Sequence, residues 1–441
     1  MESGSPIEAS DSGPQRKALE INLDPSQYGT FAEIGAGQEV ADWFLRVGGA
    51  SGTVAQTICA YDKAFSDERY GRGTRYVSRE RLLAMLEREY QSLEQQLRGP
   101  RGPQVRFFAF ADTVAARSFK GDNEQHGWVG LRFQAASGAT PSDILLHVAL
   151  RDRTVEQQRS ALGMLGVNLV HAAYRQKPEP RSFLAAVFEG LSLERLEIDV
   201  VELGGPAFAA QDSRLWCLEA LRGGIARALL FDRSGRPEQP STLLRKRSLV
   251  VEGQSSAEEH VDPRTLVSAA FERLHREEGA DQEPMLLLDA RLEHLTSPAG
   301  PGSVAERLGL LIARAPVILT DQRALHPIVE YLRRYTSGPI RMVTSVATFA
   351  RLLSGTYETL PGTLLESLGK LLVENVRLYI HPVPVETFQR TREQHPRVGA
   401  SPAGPNVTLD DLRCEPPLDH LLRYLRGADW LVPLELRRAG P

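Results

Sequence analysis

The last third of the chain carries the pattern that most constrains its fold, because short apolar runs alternate there with helical segments. Four runs are apolar without regular polar alternation: residues 285–288, 316–319, 341–343 and 376–380. Segments with helical periodicity separate them: residues 304–313, 324–335 and 348–373. Strands that are buried on both faces and joined by helices are typical of a parallel sheet. Residues 284–441 are therefore predicted to form a doubly wound, mostly parallel, Rossmann-like α/β domain.

The pattern is less regular before residue 278. Strands are predicted at residues 107–111, 128–133, 143–150, 195–203, 228–232 and 248–252. Helices are predicted at residues 74–97, 155–174, 212–222 and 264–277. Because these strands are spaced irregularly among the helices, we expect a mixed sheet in an α+β domain spanning residues 18–278. Residues 1–17 are rich in Ser, Gly, Pro and charge and are predicted to be a disordered tail, with a linker at 279–283.

Composition excludes several classes of protein. A chain of 441 residues with 42% hydrophobic and 24% charged residues is expected to be globular, with more than one domain. A net charge of -4 argues against a nucleic-acid partner. A helix needs roughly 18 apolar residues to cross a membrane, and the absence of any apolar run near that length argues against a membrane protein.

The N-terminal segment has no apolar core, so a cytoplasmic location is predicted. The three cysteines are far apart, which predicts reduced thiols and no metal site.

Two glycine turns precede helical patterns and are candidates for binding an anion. The first contains Gly35 and Gly37, and the second contains Gly52 followed by Thr53. A helix that begins after glycines presents free backbone N–H groups to a phosphate or carboxylate. The first turn, with Glu33 before it, is also similar to the first motif of S-adenosylmethionine-dependent methyltransferases. The alternative is that these glycines serve helix caps and close packing.

A polar segment between two predicted strands is the second candidate. Asp112 ends the first strand, Arg117 and Lys120 lie in the connection, and His126 precedes the second strand. Arginine and lysine neutralise an anionic ligand, while Asp112, His126 or Glu33 could act as acid or base. The alternative is an ordinary solvated loop in which Asp112 caps its own turn.

Polar residues also follow the predicted strands of the C-terminal domain. Ligands of open α/β sheets bind beyond the carboxyl ends of the strands. The residues predicted at this edge are small, polar or titratable: Asp289, Thr320, Asp321, Thr344, Ser345 and His381. Solvation alone would also favour polar residues there.

Several blocks resemble a family of uncharacterised bacterial cytosolic proteins that are often labelled nicotinate-nucleotide adenylyltransferase. The likeness rests on YGTFAEIGAGQEVA, SGTVAQTICAYD, FFAFADTVAARSFKG, NEQHGWVGLRFQ and LEIDVVELGGPAF, and it continues into the C-terminal domain. The chain has neither the HxGH-like nor the ISxTxxR-like segment that such an adenylyltransferase needs. The resemblance therefore implies a family without a mechanism.

The leading hypothesis is an enzyme of the nucleotidyl- or group-transfer type that binds a phosphorylated or nucleotide-like small molecule. Glu33, Asp112 and His126 would be catalytic, and the two glycine turns would bind the anion together with Arg117 and Lys120. The alternatives are a non-catalytic scaffold, for which a homo-oligomer is expected, and a methyltransferase. No motif identifies a cofactor or a metal site.

Overall fold

The chain divides into two compact units in the computed structural model, which describes residues 13–253, 262–279, 283–297, 302–322, 324–355, 362–395 and 397–436. Unit 1 comprises Met1–Leu229 and unit 2 comprises Leu230–Pro441. Both units are α/β, and this confirms the predicted fold class: a mixed sheet comes first and a parallel sheet follows.

Unit 1 is built on a six-stranded sheet with the order β2-β1-β3-β4-β5-β6. Its strands are β1 (Gln27–Gly35), β2 (Val54–Ile58), β3 (Arg106–Ala115), β4 (His126–Phe133), β5 (Ser142–Leu150) and β6 (Leu196–Gly204). β1 pairs in parallel with β2 and β3, whereas β3, β4, β5 and β6 form an antiparallel series. Because β1 lies between two parallel strands and has helices on both faces, nearly all of its side chains are buried.

Helices cover both faces of this sheet. They are α1 (Pro14–Asn22), α2 (Glu39–Arg46), α3 (Lys63–Tyr70), α4 (Arg79–Arg101), α5 (Val155–Arg175), α6 (Pro180–Val187) and α7 (Ser213–Arg222). Ser78 caps α4 by accepting a hydrogen bond from the Arg81 N–H. The apolar residues of α4 recur at helical spacing and pack with Phe107, Ala109 and Ala111 of β3. On the opposite face, Gly166 of α5 lies against Val40 of α2 and Phe110 of β3.

The second sheet has seven strands with the order β17-β12-β11-β8-β9-β10-β7, and all of them lie wholly in unit 2 except β7, which contains the boundary after Leu229. These strands are β7 (Ala228–Phe231), β8 (Leu249–Gly253), β9 (Met285–Arg291), β10 (Val317–Thr320), β11 (Ile340–Ser345), β12 (Val376–His381) and β17 (Leu431–Pro433). Two short antiparallel pairs are separate from this sheet: β13 (Val383–Pro384) pairs with β15 (Asn406–Val407), and β14 (Val398–Ala400) pairs with β16 (Leu412–Cys414). From β10 to β17, every neighbouring pair is parallel.

The helices of unit 2 lie between these strands along the chain. They are α8 (Pro240–Leu244), α9 (Pro263–Glu278), α10 (Leu292–Thr296), α11 (Val304–Ile312), α12 (His326–Arg333), α13 (Val346–Leu353), α14 (Thr363–Leu371), α15 (Val385–Gln394) and α16 (Leu418–Gly427). None of the helices in the described residues is long and apolar enough to cross a membrane.

The predicted domain boundary differs from the division into compact units. Residues 230–278 were assigned to the first domain, yet β8 pairs in parallel with β9 and β11 of unit 2. Pairing between strands distant in sequence sets this division, and periodicity cannot reveal it. Residues 1–12 of the predicted tail lie outside the described residues. The remainder is ordered, since α1 begins at Pro14 and the buried Lys17 Nζ donates to Asn168 Oδ1 at 2.7 Å.

Candidate functional site

Two carboxyl groups lie side by side at the carboxyl ends of β1 and β3 in unit 1. Glu33 of β1 and Asp112 of β3 are register partners, and both side chains are buried. The chain leaves β1 toward β2 on one side and leaves β3 toward β4 on the other. Ligands of open α/β sheets bind where neighbouring strands diverge in this way. The topology therefore places the two acids at the position where a ligand crevice is expected.

Glu33 occupies the anion-binding position that the sequence assigned to a ligand. Its Oε1 accepts hydrogen bonds from the N–H groups of Gln38 (2.7 Å) and Val40 (3.0 Å), and its Oε2 accepts one from Ala41 (3.0 Å). These are the N–H groups that the start of α2 presents after the first glycine turn. The carboxylate thus fills the helix terminus from within the protein.

The glycines of this turn serve close packing. Gly35 has a φ of 89°, and a Cβ there would lie 1.8 Å from the carbonyl oxygen of Val114. A Cβ on Gly37 would lie 2.3 Å from Asp112 Oδ1. The backbone therefore approaches β3 more closely than any side chain would permit. This observation favours the packing alternative for Gly35 and Gly37.

Asp112 lies inside β3 and not in a polar turn, because the strand continues to Ala115. Its Oδ1 accepts one hydrogen bond from the Ile34 N–H at 3.2 Å, and Oδ2 has no hydrogen-bond partner among the described residues. Burial, followed by the charge of Glu33, raises the pKa of Asp112 well above its usual range. Burial also raises the pKa of Glu33, although its three backbone donors oppose this shift. We therefore assign the proton to Asp112 and the negative charge to Glu33.

A cleft of about 440 Å³ adjoins Glu33. Its charged lining comprises the acids Glu33, Glu39 and Asp42 and the arginines Arg46 and Arg159. Arg159 pairs with Glu39 at 3.3 Å, and Arg46 pairs with Asp42. Because the acids outnumber the arginines, the cleft offers little surplus positive charge for a phosphate.

The second glycine turn lies at the opposite edge of the sheet. Gly52 and Thr53 precede β2, whose first residue pairs with Gly29 near the start of β1. The six residue steps from Gly29 to Gly35 separate the two turns by about 20 Å of strand. Thr53 is fully buried, and its Oγ1 donates to the Ile21 carbonyl at 3.3 Å. The structure therefore does not bring the two glycine turns together.

Arg117 and Lys120 lie in the exposed connection between β3 and β4. The Arg117 backbone N–H donates to Gln158 Oε1 at 3.0 Å, and its guanidinium lies over Gly121. A Cβ on Gly121 would be 2.7 Å from Arg117 Nη2. Arg117 therefore contacts its own loop, and no described contact links either cation to the glycine turns.

His126 and Asp112 lie on opposite faces of the sheet. The β3–β4 register pairs His126 with Ala115, which is three residues after Asp112. Paired residues share a face and successive residues alternate, so an odd separation reverses the face. The predicted acid–base pair of Asp112 with His126 is therefore not formed.

His126 instead ends a chain of titratable groups that sequence reasoning missed. Its Nδ1 is 3.0 Å from His147 Nε2, and His147 Nδ1 is 2.5 Å from Asp199 Oδ1. His147 and Asp199 are almost completely buried, whereas His126 is half-buried. An available signal was the presence of His147 and Asp199 in the middle of the largely apolar strands SDILLHVAL and LEIDVVELG.

The carboxyl edge of unit 2 contains most of the predicted polar residues. Asp289, Thr320, Thr344, Ser345 and His381 are buried, and Asp321 is exposed. Ser345 caps α13 by accepting from the Thr348 N–H at 3.0 Å, and a His381 ring nitrogen lies 3.1 Å from the Pro382 carbonyl. Asp289 differs from these residues, because neither of its oxygens has a hydrogen-bond partner within the described residues. Burial raises its pKa to about 6.

The described residues contain no group of three or more His, Cys, Asp or Glu side chains arranged to hold a metal ion. All three cysteines are free thiols in the structure.

Comparison with known proteins yields likeness to solved structures only. No protein-family model and no curated protein matches this chain. The competence/damage-inducible protein CihA of Agrobacterium tumefaciens matches at 20% identity over 38% of this chain and 99% of its own, with a TM-score of 0.28. The competence damage-inducible protein A of Klebsiella pneumoniae matches at 10% identity over 36% and 96%, with a TM-score of 0.28. A CinA superfamily protein of Enterobacter cloacae matches at 9% identity over 38% and 98%, with a TM-score of 0.28.

Proposed function

We propose that unit 2 binds a nucleotide-like small molecule at the carboxyl ends of β8, β9 and β11. Read from β10 to β17, the sheet order β10-β9-β8-β11-β12-β17 corresponds to 3-2-1-4-5-6 in the chain order of these strands. This order is the one found in dinucleotide-binding folds, where the ligand crosses the crevice between the first and fourth strands. In unit 2 those two strands are β8 and β11.

The single observation that carries this proposal is the state of Asp289. In dinucleotide-binding folds an acid on the second strand accepts hydrogen bonds from ribose hydroxyls. Asp289 lies on β9, the strand in that position, and is paired in register with Gly253 of β8. A buried carboxylate without donors is costly, and two ribose hydroxyl groups would supply them. Arg291 offers limited compensation, because its Nε is 3.8 Å from Asp289 Oδ2.

Thr320 supports the same location. Its Oγ1 is buried and has no hydrogen-bond partner among the described residues. It is register partner to Arg291, which lies two residues after Asp289 on the same face of the sheet.

Because Asp289 is enclosed, we expect ligand binding to be accompanied by a local rearrangement of this edge. The reaction that we propose for the bound molecule is group transfer.

The test is a set of binding measurements by thermal shift and calorimetry with NAD, ATP, AMP and S-adenosylmethionine. A ligand at 100 times its dissociation constant stabilises the protein by about 2.7 kcal/mol. Asp289→Asn should weaken the binding of a responding ligand at least tenfold. The original protein should bind the deoxyribose analogue of that ligand at least tenfold more weakly than the ligand itself. Asp419→Asn, which removes a carboxylate paired with Arg423 on α16, is the matched control. No response to any ligand, or unchanged binding by Asp289→Asn, would contradict the proposal.

A methyltransferase is the second candidate, favoured by one specific observation. Glu33 and Gly35 end a continuous buried strand that lies between two parallel strands, as the first motif of those enzymes requires. Against it, Glu33 occupies the N–H groups of α2, and Asp62 accepts hydrogen bonds from Ala64 and Phe65 as the cap of α3. S-adenosylmethionine binding that is lost in Glu33→Gln and retained in Asp289→Asn would favour this candidate.

An exposed apolar face on the long helix α4 would support the scaffold alternative. The structure buries that face against β1, β3 and β4, with Leu82, Met85 and Leu86 fully inaccessible. This helix therefore offers no apolar surface to a partner along the face that the sequence identified.

A further inference from the structure

We propose that β2, at one edge of the sheet in unit 1, pairs in antiparallel orientation with β2 of a second copy of this chain. Among the described strands, β2 pairs only with β1. No backbone hydrogen bond from residues 54–58 runs to a described segment other than β1. Alternate backbone N–H and C=O groups of a strand point to its two edges, so those on the outer edge of β2 can pair with another strand. This inference is independent of the ligand proposed for unit 2.

The opposite edge of the same sheet shows what β2 lacks. In β6, the Ile198 N–H donates to the Ile225 carbonyl at 3.1 Å, and the Leu203 N–H donates to Ser213 Oγ at 3.2 Å. Proteins protect an edge strand that has no such cover with charged side chains, proline or bulges. The sequence of β2, VAQTI, contains neither a charged residue nor a proline, and its register with β1 is irregular only beside Ala55. The rest of β2 is therefore suited to pairing.

The regular part of β2 is self-complementary about Thr57. Gln56, Thr57 and Ile58 pair regularly with β1, and Thr57 is exposed. A two-fold axis at Thr57 sets this residue opposite its own copy and sets Gln56 opposite Ile58 of the second copy. Threonines that face each other across two strands stabilise a sheet. Both copies then use the same surface, as a two-fold dimer requires.

Opposite charges lie at the two ends of β2. Before its amino end, Arg101 Nη2 donates to the Ser51 carbonyl at 3.4 Å. After its carboxyl end, Asp62 is exposed where α3 begins. The neighbouring Lys63 places its Nζ over the Tyr76 ring, 5.6 Å from the centroid. Antiparallel pairing brings the carboxyl end of each strand beside the amino end of the other, so Asp62 of each copy approaches Arg101 of the other.

Exposed apolar side chains border the same edge. Leu45 of α2 lines the cleft that Thr57 also lines, and it is 53% exposed. Tyr61 and Phe65, which follow β2 in the chain, are 71% and 68% exposed. Large apolar side chains exposed near one another mark an interaction surface. A specific interface buries about 1,600 Å² in total, more than one short strand pair supplies, so these side chains contribute the remaining contact area.

Light scattering of the full chain during gel filtration tests the dimer. We expect the measured mass to approach twice that of one chain as the protein concentration rises. Thr57→Lys sets two lysines opposite each other and should raise the dissociation constant of the dimer at least tenfold. Thr242→Lys, at an exposed position of α8, is the matched control and should leave this constant unchanged. A monomer at every concentration would overturn the proposal and leave this edge to a strand of another protein.

Disulfide trapping tests the register. In a Cys59→Ser background, Thr57→Cys places two thiols directly opposite each other, within reach of a disulfide bond. Gln56→Cys is the control, because its thiol faces Ile58 of the second copy. Oxidation should trap the covalent dimer at least tenfold faster with Thr57→Cys than with Gln56→Cys. Equal rates, or a faster rate with Gln56→Cys, would overturn the pairing about Thr57.

Charge reversal tests the orientation of the two strands. Arg101→Glu should weaken the dimer at least threefold, and Asp62→Lys in the same chain should restore it. Asp62→Lys also removes the cap of α3, so recovery of the dimer cannot come from better folding. Circular dichroism of every variant separates loss of the dimer from loss of the fold. Recovery supports the antiparallel orientation, and a further loss in a folded double variant would overturn it.

Discussion

Unit 1 and unit 2 each bury a carboxylate at the carboxyl edge of parallel strands, but the two carboxylates differ in their hydrogen-bond donors. Glu33 accepts three backbone hydrogen bonds from the start of α2. Asp289 accepts none from the described residues. A satisfied carboxylate stabilises its surroundings, whereas an unsatisfied one costs free energy that a ligand could recover. The comparison teaches that a glycine turn before a helix indicates an anion site without saying whether the anion is a ligand.

The largest effect on stability is expected from removing the Glu33 carboxylate. Glu33→Ala leaves three buried N–H groups without an acceptor, so we expect it to lower the free energy of unfolding by about 4 kcal/mol. Urea unfolding followed by circular dichroism measures this loss. Glu39→Ala is the control, because its partly exposed pair with Arg159 should contribute less than about 1 kcal/mol. A loss below 1 kcal/mol for Glu33→Ala would show that the helix terminus does not depend on its carboxylate.

Replacement of Asp289 is expected to change the free energy of unfolding in the opposite direction, toward greater stability. Burial raises the pKa of this carboxyl from 3.8 to about 6 in the folded protein, so ionisation destabilises the fold. Asp289→Asn should therefore raise the free energy of unfolding at pH 7 by about 3 kcal/mol without ligand.

The pH dependence of this gain supplies the check. The original protein has the full stability of the protonated carboxyl below pH 3.8 and loses it as pH rises toward 6. The advantage of Asp289→Asn should accordingly vanish below pH 4 and reach its full size above pH 6. An advantage of the same size at pH 3.5 and pH 7 would refute the assignment of a raised pKa.

A smaller effect is expected at Asp112, because we assign it the proton of the acidic pair. Asp112→Asn replaces a neutral acid with a neutral amide of the same shape, so stability at pH 7 should change by no more than about 1 kcal/mol. Thermal unfolding of Asp112→Asn and of Glu33→Gln compares the stability of the two variants. We expect Glu33→Gln to lose more stability than Asp112→Asn. Equal losses would mean that the charge is shared differently between the two carboxyls.

The smallest effects are expected in the loop between β3 and β4. Arg117 and Lys120 are exposed and make no described contact with Glu33 or the glycine turns. Arg117→Ala and Lys120→Ala should each change the free energy of unfolding by less than about 0.5 kcal/mol and leave nucleotide binding unchanged. Calorimetric titration of both variants tests this. A tenfold loss of affinity in either would restore the ligand-binding role that the sequence suggested.

Local patterns predicted most individual elements. The helix predicted at residues 74–97 corresponds to α4, and it was readable because helical periodicity is a property of neighbouring residues. The strand β14 is not among the strands that the sequence predicted. β14 has only three residues and pairs with β16, so its existence depends on a partner that periodicity does not identify.

The candidate site was less predictable than the fold. Glu33, Asp112 and His126 were each chosen for their chemistry, but the structure assigns Asp112 and His126 to opposite faces. An odd number of residues between Asp112 and the pairing partner of His126 decides that the two side chains lie on opposite faces. A shift of one residue in the β3–β4 register would have placed them on the same face. His147 and Asp199 come from two further strands and meet His126 only through that same pairing.

The sequence by itself determined that the chain is α/β, that its second half repeats strand and helix, and which residues are titratable. These properties follow from the order of apolar, polar and glycine residues along a few turns of chain. Tertiary structure alone decided where the two units divide, which carboxylate receives hydrogen bonds and which histidine lies behind His126. The physical reason is that these outcomes depend on hydrogen bonds and burial between residues up to about 80 positions apart, as for Glu33 and Asp112, and the local sequence carries no signal for such contacts.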